Sequence, residues 1–198
     1  MRVIAHSYIN PQGLYVNGQR IAEVSETENY LKHIYSSLSL DYPKFYKMDN
    51  LSKMALLAVE GLMKKEVFPS EGEGLQLVFA NQSSSQQTDL RFIDSYANLG
   101  NPSPSLFVYT LPNIVTGELS IRHKWYGENS FFILPSFNPE VFLEQCSLAF
   151  LRGNNVCLCG WVESQSHGNE ECFLFLICRS DDSLQSAELM EIYKSYTV

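Results

Sequence analysis

Cysteine and histidine are the residues best suited to metal or nucleophilic chemistry, and this chain has five of the first and four of the second. Cys157-x-Cys159, with His167 and Cys172 downstream, can be drawn as four zinc ligands. A C-x-C pair inside an apolar strand turns both thiols to one face. Structural zinc sites instead take their cysteines from more widely spaced pairs on loops. Buried free thiols packing a sheet are therefore the better reading; Cys146 and Cys178 join them as core candidates, and no metal site or cofactor is expected. His6, His33 and His123 have no partner at metal or triad spacing and read as surface or satisfied histidines. Gly72-Glu73-Gly74 precedes a strand instead of joining a strand to a helix, so it is not a phosphate loop. Arg122-His123-Lys124-Trp125-Tyr126 sets basic beside aromatic side chains. Such a stretch is most often a plain turn, but Arg and aromatics are enriched at binding hot spots. Arg122, Trp125 and Tyr126 are thus the first candidates for partner contact.

These residues must be positioned by elements that the apolar pattern outlines. Val3–Ile9 reads as an opening strand and Leu14–Val24 as a hairpin-like stretch, and the pattern turns helical over Thr27–Leu40. Asp49 or Asn50 can cap the clearest helix, in which Leu51, Met54, Ala55, Ala58 and Leu62 fall at helical spacing. Leu56, Leu57 and Met63 make it apolar nearly all round, the mark of a helix buried on more than one side. Pro69 and the Gly72/Gly74 pair end that unit. Leu75–Ala80 is a strand, 81–88 (NQSSSQQT) a polar connection, Thr88–Ala97 a helix and Phe131–Leu134 a short strand. Asn138-Pro139-Glu140 opens the next helix, with an Asn cap, Pro at the first helical position and an acid near the positive dipole end. That helix runs to Gly153. Strands at Val156–Val162 and Cys172–Cys178 and an amphipathic helix at Ser183–Tyr193 complete the chain. Strands apolar on both faces and interleaved with helices predict a layered α/β domain around a mixed, mostly parallel sheet.

Composition narrows the classes. The 198 residues carry 14 Lys and Arg against 22 Asp and Glu, a net charge of −8, with 45% hydrophobic and 13% aromatic residues. That is globular and suits one domain over 1–198. An acidic chain without a basic tract is a poor nucleic-acid binder; the small clusters at Lys44/Lys47/Lys53 and Arg122–Lys124 are no more than a solvated surface shows. No apolar run reaches the roughly 18 residues of a membrane span, and the N-terminus lacks the apolar stretch of a signal peptide. Five cysteines, an odd number, suggest reduced thiols. A cytoplasmic protein is expected.

Three segments, in order, resemble the N-terminal half of β-ketoacyl-acyl carrier protein synthases, members of the thiolase-like fold. Lys47-Met48-Asp49-Asn50-Leu51-Ser52-Lys53-Met54-Ala55 is similar to that family's lead-in to a long central helix. Leu111-Pro112-Asn113 through Gly117 to Ser120-Ile121-Arg122 is similar to its Pro-Asn-x-x-x-Gly-x-(Ile/Val)-Ser-Ile segment. Gly127-Glu128-Asn129 then looks like the Gly-Pro-Asn before the nucleophile strand, and Gly160-Trp161-Val162-Glu163-Ser164 like the closing Gly-Gly-x-Glu-Ser. The opening His6-Ser7-Tyr8-Ile9-Asn10-Pro11 departs from the family's Thr-Gly-x-Gly turn.

The resemblance places the family's catalytic cysteine at Ser136, and no cysteine falls there. In the synthases that thiol sits at a helix N-terminus, where the dipole favours thiolate; a serine hydroxyl needs a neighbouring base instead. With Pro139 at the first helical position, Ser136 lies before the cap. Phe137 and Pro139 replace small residues. The family's active-site histidines come from its C-terminal half, which 166–198 is too short to encode, so the chain matches about half of a synthase and should leave a flank to be covered. The resemblance therefore implies no catalytic residue beyond Ser136 as a vacated position. It implies a non-catalytic, chain-length-factor-like protein of fatty acid, polyketide or aryl-polyene type biosynthesis, paired with a full-length ketosynthase or with itself, and in possible contact with an acyl carrier protein. The alternatives are a small acyl-transferase or thioester hydrolase using Ser136, and a homodimeric domain that binds acyl groups or carrier protein without chemistry.

Overall fold

The computed structural model describes residues 1–24, 29–65, 68, 72, 74–98, 100–165 and 170–197. Its strands are β1 (Arg2–Asn10), β2 (Gly13–Val16), β3 (Gln19–Glu23), β4 (Leu75–Asn81), β5 (Asn129–Ile133), β6 (Val156–Ser164) and β7 (Glu170–Cys178). Its helices are α1 (Tyr30–Ser37), α2 (Asn50–Met63), α3 (Gln86–Ala97), α4 (Pro104–Val108), α5 (Ile114–His123), α6 (Pro139–Leu151) and α7 (Ser186–Thr197), with a 3-10 turn at Pro43–Lys47. Pro69 and His167, and the Thr27 start of the first expected helix, lie outside the described residues.

All seven strands form one sheet in the order β3-β2-β1-β7-β6-β4-β5. It is mixed, as expected, but not mostly parallel. Only β4 runs parallel to its neighbours, β5 and β6; the other four neighbouring pairs are antiparallel. The reason is connectivity. β7 returns from β6 and slots between β6 and β1, running against both, while β2 and β3 extend β1 as an antiparallel meander. Asn17 and Gly18, both at positive φ (49° and 78°), make the two-residue β2–β3 turn whose twist suits a hairpin.

Helices cover both faces. On one, α2 lies across the sheet, and ten of its residues are buried. Asp49 is its cap, accepting from the Ser52 N–H at 3.0 Å, and the Ser7 hydroxyl of β1 donates to the Ala58 carbonyl at 3.3 Å. α1, the 3-10 turn and α5 complete this layer. On the other face α6 and α7 pack over Tyr8, Val78, Cys157, Cys159, Phe173 and Phe175. α6 starts as its sequence demands: Asn138 accepts from the Glu140 N–H at 3.0 Å and Pro139 occupies the first turn. α7, three residues beyond its expected start, supplies Leu189, Met190, Ile192, Tyr193 and Tyr196 to the same face. Part of the flank expected to need covering is thus closed by the chain itself.

The polar stretch 81–88 is a short connection, as expected, and α3 starts two residues before the expected Thr88. Asn81 still belongs to β4, Gln86 already begins α3, and Asn81, Ser85 and Thr88 are buried.

Candidate functional site

The structure explains the motif residues by packing and hydrogen bonding. Asp49 caps α2. The buried Thr116 hydroxyl shares its hydrogen between the Asn113 carbonyl (2.8 Å) and Asn129 Oδ1 (3.0 Å), joining the start of α5 to the start of β5. Gly160 has neighbours pressed close on it: a Cβ there would lie 2.6 Å from Leu174 Cδ2 and 2.7 Å from the Phe79 ring.

Ser136 lies exposed on the turn between β5 and α6, two residues before the cap. It sits where two shallow cavities of about 360 and 370 Å³ meet, sharing Ser136, Phe137 and Met190. Gln82, Trp161, Glu163, Glu171 and Tyr193 line the deeper end. Among the described residues no histidine lines either cavity. Both carboxylates are committed elsewhere. Glu171 accepts from the Tyr8 hydroxyl at Oε2 (3.1 Å), and from Trp161 Nε1 (3.1 Å) and the Tyr193 hydroxyl (2.9 Å) at Oε1. Burial, then the Glu171 charge, push the Tyr8 and Tyr193 phenols well up, so both remain donors. Glu163 accepts from the turn after β4. Among the described residues, nothing is placed to take a proton from Ser136, which a serine nucleophile requires.

The cysteines are all free. Cys157 and Cys159 share a face, as the C-x-C spacing requires, and Cys146 Sγ from α6 lies 3.5 Å from Cys159 Sγ. Cys172 packs in the core on the opposite face of the sheet, which breaks up the drawn zinc set. Burial raises the thiols of Cys159 and Cys172, the inert state of core cysteines.

Of the residues expected to meet a partner, Trp125 is corrected to a core residue. It is 2% exposed, stacked between the Phe68 ring (5.6 Å) and the His123 ring (4.5 Å). Arg122 is engaged within the chain, its Nε 3.0 Å from Glu60 Oε1 and its guanidinium 4.5 Å from the Tyr42 ring centroid. Tyr126 alone of the three stands well out, 66% exposed. His123 also departs from its reading as a surface or satisfied histidine. Its side chain is buried, and Nε2 has no hydrogen-bond partner and stands 3.9 Å from Glu60 Oε1. Burial, and then Arg122, lower its pKa to about 4.

Motif reading missed the surface around β5. This strand is at the end of the sheet and pairs with β4 alone. Edge strands are normally blunted by charge, proline or bulges. β3, at the other end, follows that rule, with Arg20 and Glu23 ion-paired at 2.7 Å on a strand of five residues. β5, Asn-Ser-Phe-Phe-Ile, carries no charge, and Ile133 is 53% exposed. Of thirteen exposed large hydrophobic residues among those described, nine lie on β5 or on the β4-to-β5 connection, including Leu90, Ile93, Tyr96, Phe107 and Tyr126. These nine fall within one stretch of the chain, 90–133. Leucines and aromatics spread over 90–133 were the available signal.

No protein-family profile matches the sequence, and no curated protein matches it. Solved structures do. A ketosynthase in complex with its chain length factor from Xenorhabdus doucetiae superposes with a TM-score of 0.62 at 13% identity, over 90% of this chain and 79% of that one. The chain has a ketosynthase-like fold. The ishigamide ketosynthase/chain length factor gives a TM-score of 0.66 at 17% identity, over 92% of this chain and 63% of that one. A type II PKS acyl-carrier protein in complex with its ketosynthase bound to the hexaketide gives 0.54 at 16% identity, over 89% and 62%. This chain therefore spans more than the half of such proteins that the motifs imply, and less than two thirds of two of them. Among the described residues no helix is long and apolar enough to cross a membrane.

Proposed function

We propose that this protein is a non-catalytic, chain-length-factor-like subunit that pairs with a ketosynthase in a fatty acid, polyketide or aryl-polyene type pathway. The observation that carries the reading is the uncharged outer edge of β5, with Ile133 exposed on it, in a fold shared with ketosynthase and chain length factor structures. An uncharged edge strand offers a row of backbone donors and acceptors, and an exposed apolar side chain on it adds burial when a strand pairs there. Ser136 at the synthase cysteine position, without a base, supports a subunit that leaves chemistry to its partner. Tyr126 belongs to the offered surface and Arg122 to its rim. The free thiols fit a cytoplasmic setting.

The test is co-expression with the ketosynthase encoded beside its gene. A stable complex of the two chains is expected, and Ile133→Asp should abolish it while leaving the circular dichroism spectrum of the single chain intact. A wild-type chain that stays monomeric beside every neighbouring ketosynthase would refute the reading. A second reading has one observation behind it: β5 can pair equally with β5 of another copy. Sedimentation of the chain alone separates the two, because a homodimer would form without any synthase.

A further inference from the structure

Helices α6 and α7 cover the same face of the sheet but are seated differently. α6 buries six of its thirteen residues, among them Phe142, Cys146 and Phe150. α7 buries one of twelve, Leu189, with Met190, Ile192, Tyr193 and Tyr196 only partly buried beside it. Space remains along its length. Ser186 and Met190 border a cavity of about 370 Å³, Met190 and Tyr193 a second of about 360 Å³, and Ser195 and Tyr196 a third of about 390 Å³. A close-packed helix leaves few voids larger than a water molecule.

Two tyrosines latch α7 to the rest of the fold. The Tyr193 hydroxyl donates to Glu171 Oε1 (2.9 Å), and its ring lies 4.5 Å from the Phe137 ring. Tyr196 stacks on Tyr8 with ring centroids 4.9 Å apart; its hydroxyl accepts from the Gly18 N–H (2.8 Å) and lies 2.7 Å from His6 Nδ1. The sheet does not depend on these contacts. Glu171 keeps the Tyr8 hydroxyl and Trp161 Nε1 as donors, while Gly18 is exposed and His6 partly so, and both turn to water. Among the described residues, lifting α7 therefore strands no buried polar partner on the sheet, the penalty that ordinarily holds an element down. The Leu184 N–H donates to the Met1 carbonyl (3.1 Å), which ties the connection from β7 as far as Leu184.

We propose that α7 is a lid: residues 185–197 lift from the sheet as a unit while the sheet and α6 stay folded, and this gates the aromatic-lined space beside Ser136. Local opening of this kind belongs to elements with few buried apolar contacts. Met190 is common to the two cavities at Ser136, so its departure joins them. What it uncovers is the rings of Phe137, Trp161 and Phe173 beside the Glu163 and Glu171 carboxylates. This holds whether or not the chain pairs with a ketosynthase.

Hydrogen exchange on the full chain tests the opening. The amides of 190–197 should exchange at similar rates to one another and at least about a hundred-fold faster than those of β6 and β7. Tyr196→Phe keeps the ring on Tyr8 and removes the hydroxyl, so it should speed α7 about ten-fold. Tyr193→Phe repeats the test at the other latch if that variant does not fold. Gly160→Ala strains the sheet in the closed and open forms alike; it should speed β6 and β7 and leave α7 unchanged. An α7 that exchanges no faster than the sheet, that follows the sheet in Gly160→Ala, or that only frays in a graded way toward its end would overturn the lid. Unchanged α7 exchange in both tyrosine variants would overturn the latches. The gate is read with N-phenyl-1-naphthylamine, a neutral apolar dye suited to rings beside carboxylates. A dye that enters only the open form binds in proportion to the open fraction, so Tyr196→Phe should bind it about ten-fold more tightly. No binding, or equal binding by wild type and variant while α7 exchange is accelerated, would overturn the control of access.

Discussion

The neutral, buried His123 makes the fold acid-sensitive in a way that one substitution can isolate. Its ring is stacked on Trp125, and Nε2 has no hydrogen-bond partner. Burial holds its pKa at about 4, against about 6.5 in the unfolded chain. The folded-state value is the lower one, so between these values the unfolded chain binds the extra proton and stability falls as pH falls. At pH 5 unfolded His123 is almost wholly protonated and folded His123 mostly neutral, which costs about 2 kcal/mol relative to pH 7. The full shift corresponds to about 3 kcal/mol by pH 4 or below. Carboxylates titrate in the same range, so the wild-type profile alone does not assign the loss. His123→Phe keeps an aromatic ring over Trp125 and removes the titration. Urea unfolding followed by circular dichroism should find the variant within about 1 kcal/mol of wild type at pH 7. At pH 5 it should have gained about 2 kcal/mol relative to wild type. If the difference between the two proteins is the same at both pH values, His123 is not held neutral in the fold and the reasoning fails.

Three further outcomes follow from packing. Gly160→Ala places a methyl group against Leu174 and Phe79 in the centre of the sheet; it should cost about 1–3 kcal/mol and lower the midpoint by several degrees in a thermal melt. Trp125→Ala should cost about 3–5 kcal/mol, whereas Tyr126→Ala should stay within about 0.5 kcal/mol; equal small effects would return Trp125 to the surface. Cys146, Cys157, Cys159 and Cys172 are buried and Cys178 is partly exposed. A thiol-reactive chromogenic disulfide should therefore titrate no more than one thiol in the native protein and five in urea, and rapid reaction of three or more before unfolding would contradict this packing.

Much of this architecture can be read from local pattern. The unbroken apolar runs of β4, β6 and β7 signal strands covered on both faces, and Asn138-Pro139 and Asp49 mark helix starts that the structure realises. The hairpin-like stretch Leu14–Val24 is realised by β2 and β3 with their turn at Asn17-Gly18. Strand order was not legible, because alternation shows which face a residue takes and not which strand lies beside it; β7 between β1 and β6 is a long-range outcome. The polar run 81–88 was legible as a connection but its ordering was not, because the carboxylate that organises it is eighty residues away in the chain. Trp125 and His123 looked like surface because their neighbours are basic, while Phe68 and Glu60, which bury them, come from elsewhere. Glu163 was visible as a motif residue and Glu171 as the second of two acids opening a strand; that they stand opposite each other is a matter of register.

The unequal ends of the sheet bear on how far assembly can go. A chain with two bare edges could add neighbours without limit and grow into a fibre. Here β3 carries the Arg20–Glu23 ion pair while β5 carries no charge, so one end is guarded, and the pairing proposed through β5 uses up the other. Such a chain makes a closed pair and stops. Before it finds that partner the open end remains a template for wrong pairings, so a cell making this chain in excess should accumulate it as aggregate, and one making both subunits in step should not.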